Sequence, residues 1–339
     1  MEDLPVAAHM PEPRPAAPRP RWHPLARAIL YLVTYAAVQI GFSLLVGILA
    51  LLVDERAARA GILGDEVLLL ATALIAPVMV IVTWLFVQVL DRRTLASIGA
   101  RWPEGGRAAA LRQIFTAPLG TVAVLGLWLA LILALPPALA AFRYRGLSGG
   151  YAAGPSWWPL PPWLLLVALF LGFLIQGGLE EWTIRGYIYR TLKDRWRPWV
   201  SALASSLLFA LLHAGNPNVT AVALLNIVIA GMVLAALVER TGSLWSASLA
   251  HGTWNFAVAC ILSVPVSGVS IFHLLDVSIS GDETLTGGSF GPEGSAVLTL
   301  IGLALMAFLW RGMWRRSPSG APVPAPVSAP EDAQRPVSA

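Results

Sequence analysis

Residues 162–188 read PWLLLVALFLGFLIQGGLEEWTIRGYI. From Pro162 to Leu179 no side chain carries a charge. A helix crossing a bilayer needs about 20 apolar residues, and this run supplies them. Then Glu180 and Glu181 arrive side by side, with Arg185 four residues after Glu181. An ionisable side chain at the bilayer centre costs about 2.5–3.5 kcal/mol even on a lenient scale. Such groups face a bundle interior and usually carry function. The stretch therefore predicts a helical membrane bundle with a polar site inside it.

The rest of the chain agrees. Of 339 residues, 57% are hydrophobic and 12% charged. That charged fraction is about half the usual one for a soluble globule. Length alone allows about two soluble domains; the composition leaves too little polar surface to cover them. Eight apolar segments run roughly over 28–53, 67–90, 117–141, 162–188, 199–213, 219–238, 243–263 and 295–314. The fold class expected is an all-α polytopic membrane protein with about eight transmembrane helices. Pro136 and Pro137 kink or end the third segment. Proline-rich stretches at 1–24 and 317–339 cannot bury a core and read as disordered tails, the first cytoplasmic. The membrane domain is then 25–316.

Basic residues set the orientation. With the N-terminus inside, Arg27, Arg92, Arg93, Arg101, Arg107, Arg112, the 190–197 loop, Arg240 and Arg311 all fall on the cytoplasmic side. Arg56, Arg59, Arg143 and Arg145 fall outside. The positive-inside rule gives a multi-pass plasma-membrane protein with both termini in the cytoplasm. The net charge of +4 is small and lies in loops, so the basic residues read as topology signals and not as a nucleic-acid surface. Cys260 is the single cysteine, which excludes a disulfide framework and any cysteine-based zinc site.

Most acids fall in loops or at segment ends; Glu293, Asp276 and Asp282 read as parts of a solvated external loop that also holds His273. The exceptions are Glu180 and Glu181. His213 and His251 also sit in apolar segments. Glu181 and Arg185 are i and i+4, acid first, the better order for an ion pair. Glu180 points about 100° away from Glu181 and is left without a local cation. A carboxylate so placed suits a general base. Gly177 and Gly178 allow a second helix to approach closely. Phe209 and His213 share one helical face, and so do His251 and Asn255. Two donors converging there suit an oxyanion. Glu180 lies about ten residues, or roughly 15 Å, from the Arg190 loop and His251 roughly 12 Å, which predicts a site opening toward the cytoplasmic half.

The three elements Glu180-Glu181-x-x-x-Arg185, Phe209-x-x-x-His213 and His251-x-x-x-Asn255 resemble the CPBP family. That family comprises the type II CAAX prenyl endopeptidases and the bacteriocin-processing or self-immunity proteins, also called Abi. The resemblance covers roughly 162–260 and implies an intramembrane endopeptidase. By it, Glu180 is the base that activates water, helped by His213. His251 and Asn255 form the oxyanion hole, Glu181 and Arg185 shape the site, and Phe209 packs against it. Ile184 departs from the Phe that relatives often carry before the Arg-Gly pair. The resemblance favours a reaction without a cofactor. Zinc is the alternative, with Glu180, His213 and His251 as its three ligands, although no His-Glu-x-x-His motif is present.

The partners expected are the lipid bilayer and a peptide or membrane-protein substrate, with no nucleic acid. Two other classes stay open. One is a non-proteolytic scaffold or bacteriocin self-immunity protein, in which the polar residues hold helices together. The other is a transporter using an intramembrane carboxylate; the lack of an inverted-repeat signal counts against it. Asn226 reads as a hydrogen bond between helices and Cys260 as packing.

Overall fold

The computed structural model describes residues 22–53, 65–102, 106–154, 158 and 160–313. The expected tails lie almost wholly outside the described residues. Among the described residues eight main helices form the bundle: α1 (Pro24–Val53), α2 (Asp65–Leu85), α3 (Gly106–Leu133), α4 (Pro162–Glu181), α5 (Pro198–Leu212), α6 (Ala221–Thr241), α7 (Leu244–Phe256) and α8 (Ala296–Trp310). Wider π turns extend α2 over Phe86–Leu90, α4 over Trp182–Ile188 and α7 over Ala257–Ile261. After its π turn α4 resumes as Tyr189–Leu192. The chain is an all-α polytopic membrane protein. Among the described residues, five helical segments are long and apolar enough to cross a bilayer: those beginning with α1, α2, α3, α4 and α6. The helices α5 and α8 are shorter. The expected eight crossings thus become five long segments and three shorter helices packed among them.

The third segment is corrected. Instead of 117–141, α3 spans Gly106–Leu133. It takes Arg107 and Arg112 into its first turns and stops ahead of Pro136 and Pro137. Beyond the two prolines the chain turns into a strand. β1 (Ala140–Leu147) pairs antiparallel with β2 (Leu275–Gly281). Arg145 makes a bidentate bond to Asp276, at 3.0 and 2.9 Å. The loop expected to be solvated is therefore partly a strand, and Asp282 caps the short helix Glu283–Thr286. Period-two alternation in AAFRYRGL and LDVSISG is the local signal for this pair.

One end of the bundle gathers the starts of α1, α3, α5 and α7 and the ends of α2, α4, α6 and α8. Arg27 binds Asp91 and, at 2.7 Å, Asp194; Arg93 also binds Asp194. Lys193 pairs with Glu239, Arg101 reaches the Gly242 carbonyl, and Arg240 reaches the Leu309 carbonyl. Above the Arg27 pair, Tyr31 stacks on Tyr187 at 4.2 Å and meets Phe86 edge-on. Arg27 and Asp91 are both buried, so their charges must compensate each other. The opposite end carries the β pair and the loops after α5 and α7. A second core packs there around Trp128, Leu165, Leu169 and Phe173.

Replacing Arg27 by Met strands Asp91 as a buried charge. The expected loss is about 3–5 kcal/mol of stability, read as a lowered thermal midpoint of the detergent-solubilised protein. An unchanged midpoint rules out this pair as the anchor of α1.

Candidate active site

Two helices carry most of the site, and they touch because neither has a side chain at the crossing. A Cβ on Gly252 of α7 would lie 2.7 Å from the Leu174 Cα and 2.8 Å from the Phe173 oxygen of α4. A Cβ on Gly177 would lie 2.9 Å from the Gly252 nitrogen. Gly177 thus allows the close approach expected from the sequence, while Gly178 meets nothing closer than Ser248, at 3.9 Å.

The crossing brings the polar side chains together. Glu181 and Arg185 are both fully buried and bonded at 2.7 Å. Glu181 also receives the His251 Nδ1 at 3.0 Å. His251 thus lies between the two acids, with its Nε2 3.6 Å from Glu180 Oε2. That distance is an electrostatic contact and too long for a hydrogen bond. Glu180 Oε1 accepts from the Gln176 amide, and Glu180 Oε2 is buried with no hydrogen-bond partner among the described residues. Asn255 donates to Gln176 Oε1 at 3.0 Å. An Asn amide has two protons, so one stays available.

The ring of Phe209 sits at the centre. It lies beneath the Arg185 guanidinium at 4.5 Å and meets His213 and His251 edge-on at 4.5 and 5.8 Å. His213 comes directly after the last residue of α5, and its Nδ1 lies 2.8 Å from the Phe209 carbonyl. A carbonyl only accepts, so Nδ1 donates here, and in the neutral tautomer that leaves Nε2 as an acceptor.

All seven residues singled out in the sequence fall in this one cluster. Two more belong with it. Gln176 bridges Glu180 and Asn255; it is a polar residue one turn before Glu180 in an apolar helix, a signal the sequence carries. Glu293, expected in the solvated loop, is a correction. It accepts from the Trp254 indole at 2.9 Å and from the Ser267 hydroxyl at 3.1 Å. Burial pushes its carboxyl above the ordinary range; the donors from Ser267 and Trp254 and the facing His213 ring work the other way. Asn226 donates to the Glu293 and Ser295 carbonyls, which makes it a tie between α6 and the turn before α8. No local sequence signal places Glu293 here, because its partners are 26 and 39 residues away.

The cluster separates two cavities. One, of about 570 Å³, is lined by Tyr35, Gln39, Gln176, Glu180, His213 and Asn216 among others. The other, of about 280 Å³, lies among α3, α6, α7 and α8 and is mostly apolar. His213, His251 and Asn255 line both. The larger cavity reaches Asp65, Asn216, Ser267 and Ile271, all at the end of the bundle away from the basic loops. No described residue of the 91–102, 190–197 or 240–243 segments lines it. Tyr31, Phe86 and Tyr187 fill the basic side of the larger cavity, while the smaller cavity reaches Leu237 and Leu309 toward the basic end.

Residues 161–257 match the family model described as type II CAAX prenyl endopeptidase Rce1-like. The matched stretch holds all three motifs. This match supports placing the chain in the CPBP family. No curated protein and no solved structure matches the chain significantly. Within the Rce1-like segment, zinc can be tested against the donor set. Among the described residues no three His, Cys, Asp or Glu side chains converge to hold an ion. Glu180, His213 and His251 are thus not arranged as a ligand set.

Gly252→Ala forces backbone apart at the crossing. The expected cost is about 1–3 kcal/mol, with loss of function exceeding loss of folded protein. A variant that melts and acts like wild type places the crossing elsewhere. Glu293→Gln turns one acceptor into a donor facing either Trp254 or Ser267. Leaving a buried donor unmatched costs about 1–3 kcal/mol, again read as a lowered melting midpoint.

Proposed function

We propose that the chain is an intramembrane endopeptidase in which Glu180 activates water. The observation that carries this reading is Glu180 Oε2. It is a buried carboxylate oxygen without a hydrogen bond among the described residues, and its residue, unlike Glu181, lines the larger cavity together with His213, His251 and Asn255. The Rce1-like match supports the same reaction class.

The chemistry uses these positions directly. Water enters the larger cavity and gives a proton to Glu180 Oε2, with His213 Nε2 as a second acceptor that orients it. The hydroxide adds to the carbonyl carbon of the scissile bond. The negative charge that forms on the carbonyl oxygen is held by the remaining Asn255 amide proton and by the Nε2 proton of His251 in its imidazolium form, the oxyanion pair. Collapse breaks the C–N bond, and the proton passes from Glu180 to the leaving amine. Glu181 and Arg185 take no proton in this scheme. Glu181 holds His251 by its Nδ1, and Arg185 balances Glu181. The substrate is a peptide or membrane protein that reaches the site from the bilayer.

A second reading keeps one observation on its side. Asn255–Gln176 and His251–Glu181 are also bonds between α4 and α7, so the cluster would serve a non-proteolytic scaffold or immunity protein as helix-to-helix ties.

Glu180→Gln decides between them. The termini of membrane proteins and secreted peptides are compared in cells carrying wild type or variant at equal abundance. A terminus that requires Glu180 supports the peptidase. Unchanged termini, with a null phenotype rescued by both forms, sink it. Asn255→Ala is expected to lower kcat by about 10²–10³-fold in a quenched-peptide assay built on the cleaved sequence.

A further inference from the structure

Every residue given a role in the proposed chemistry lies within 161–257, the stretch that matches the family model. One buried acid beside them lies outside it. Glu293 lines the smaller cavity together with His213, His251 and Asn255. Both of its oxygens are engaged. Oε1 accepts from the Trp254 indole, and Oε2 accepts from the backbone N–H and the hydroxyl of Ser267. Three donors on two oxygens leave no place for an amide, which brings two protons of its own. The position calls for a carboxylate.

Its two partners lead to different parts of the site. Trp254 precedes Asn255 and follows His251 by three residues, so it shares their turn of α7. The regular ladder of α7 ends at Phe256, and the π turn Ala257–Ile261 follows. The indole bond therefore pins α7 where its repeat changes. Ser267 leads to His213. Its backbone lies in the left-handed region, at φ 49°, which is uncommon for a residue with a Cβ, and Glu293 holds it there by two bonds. The Ser267 carbonyl accepts from the Asn216 side chain at 3.1 Å, and the Asn216 backbone N–H donates to the His213 carbonyl at 3.0 Å. Gly268 lets this loop press on the turn after α5, since a Cβ there would lie 2.0 Å from the Pro217 oxygen. His213 stands past the last residue of α5, so its place depends on these contacts. Glu293 is itself a fixed point. Asn226 of α6 donates to its carbonyl at 2.8 Å and to the Ser295 carbonyl at 2.9 Å, and the Trp128 indole of α3 donates to the Ser295 hydroxyl at 3.0 Å.

We propose that Glu293 is a positioning residue of the reaction, a role that rests on the peptidase reading. It sets the His251–Asn255 oxyanion pair and the water-orienting His213 in register with each other, from one anchor tied to α3 and α6. It touches no reacting atom. A misplacement of about 1 Å at the reacting groups costs about 10²-fold in rate, and it leaves the groups that bind the substrate in place.

Kinetics on the full-length protein test this. Wild type, Glu293→Gln and Trp254→Phe are purified in detergent. They are assayed well below each melting midpoint, per folded molecule, on a quenched peptide built on the sequence that the wild type cleaves. Glu293→Gln is expected to lower kcat by about 10- to 10²-fold with KM unchanged, the pattern of an interaction made only in the transition state. Trp254→Phe keeps the acid and removes one of its donors, and its kcat falls as well. The double variant is expected to be no slower than the slower single, because both changes break one tie. A purely structural tie lowers the melting midpoint and leaves kcat per folded molecule as it was; that result overturns the positioning role. Losses that multiply in the double variant also overturn it. If Glu293→Gln does not fold, Trp254→Phe decides: a lowered kcat supports the role and a wild-type kcat overturns it. A wild type that cleaves no better than Glu180→Gln sinks the peptidase reading and the positioning role with it. An active wild type, an inactive Glu180→Gln and a fully active Glu293→Gln sink the positioning role alone.

Discussion

The arrangement depends on one buried charge. Glu181 is fully buried, its carboxylate held by Arg185 one turn on and by His251 from another helix. A buried carboxylate with no partner would carry a large desolvation cost, so α4 and α7 must meet at this level. They meet closely because Gly177 and Gly252 leave no side chain between them. The consequence reaches the neighbouring acid. Each acid keeps one oxygen, Oε2, with no hydrogen bond among the described residues. The crossing separates them otherwise: Glu181 is paired with Arg185 and His251, and Glu180 lines the larger cavity.

The aromatic residues finish the division. Phe209 places its ring against Arg185, His213 and His251 at once, so the guanidinium is kept on the Glu181 side and the imidazoles on the cavity side. The π turn from Trp182 to Ile188 lies within the same motif. Such widenings often occur at functional sites, and here the turn carries Arg185 against the Phe209 ring. At the basic end the Tyr31, Phe86 and Tyr187 cluster closes the larger cavity, while its opposite end stays open above Glu180. Glu293 reaches in from that open end and joins Trp254 of α7 to the 263–269 loop. Asn216 donates to the Ser267 carbonyl, which links the loop after His213 to the same point.

Much of this was legible in the sequence. Apolar length located the helices, often within a few residues of their observed ends. The i,i+4 spacing of Glu181 and Arg185 fixed their pairing, because helical neighbours are set by local geometry alone. The three motifs named the seven residues that come together. Gln176 obeyed the same i,i+4 logic. The third helix was misplaced because hydropathy alone continues past Leu133 to Pro136, and β1 and β2 pair across more than 120 residues.

The sequence by itself determined which side chains are too polar for their helices, and so which ones must find partners. Spacing along a helix and the cost of burial are local quantities, and both can be read from residue order. Only the tertiary structure decided who the partners are. It gave His251 to Glu181, put Glu293 beside Trp254 and Ser267, and turned the larger cavity toward the end away from the basic loops. Those outcomes depend on which helices cross and at what level. That is set by close packing among residues far apart in the chain, which periodicity does not encode.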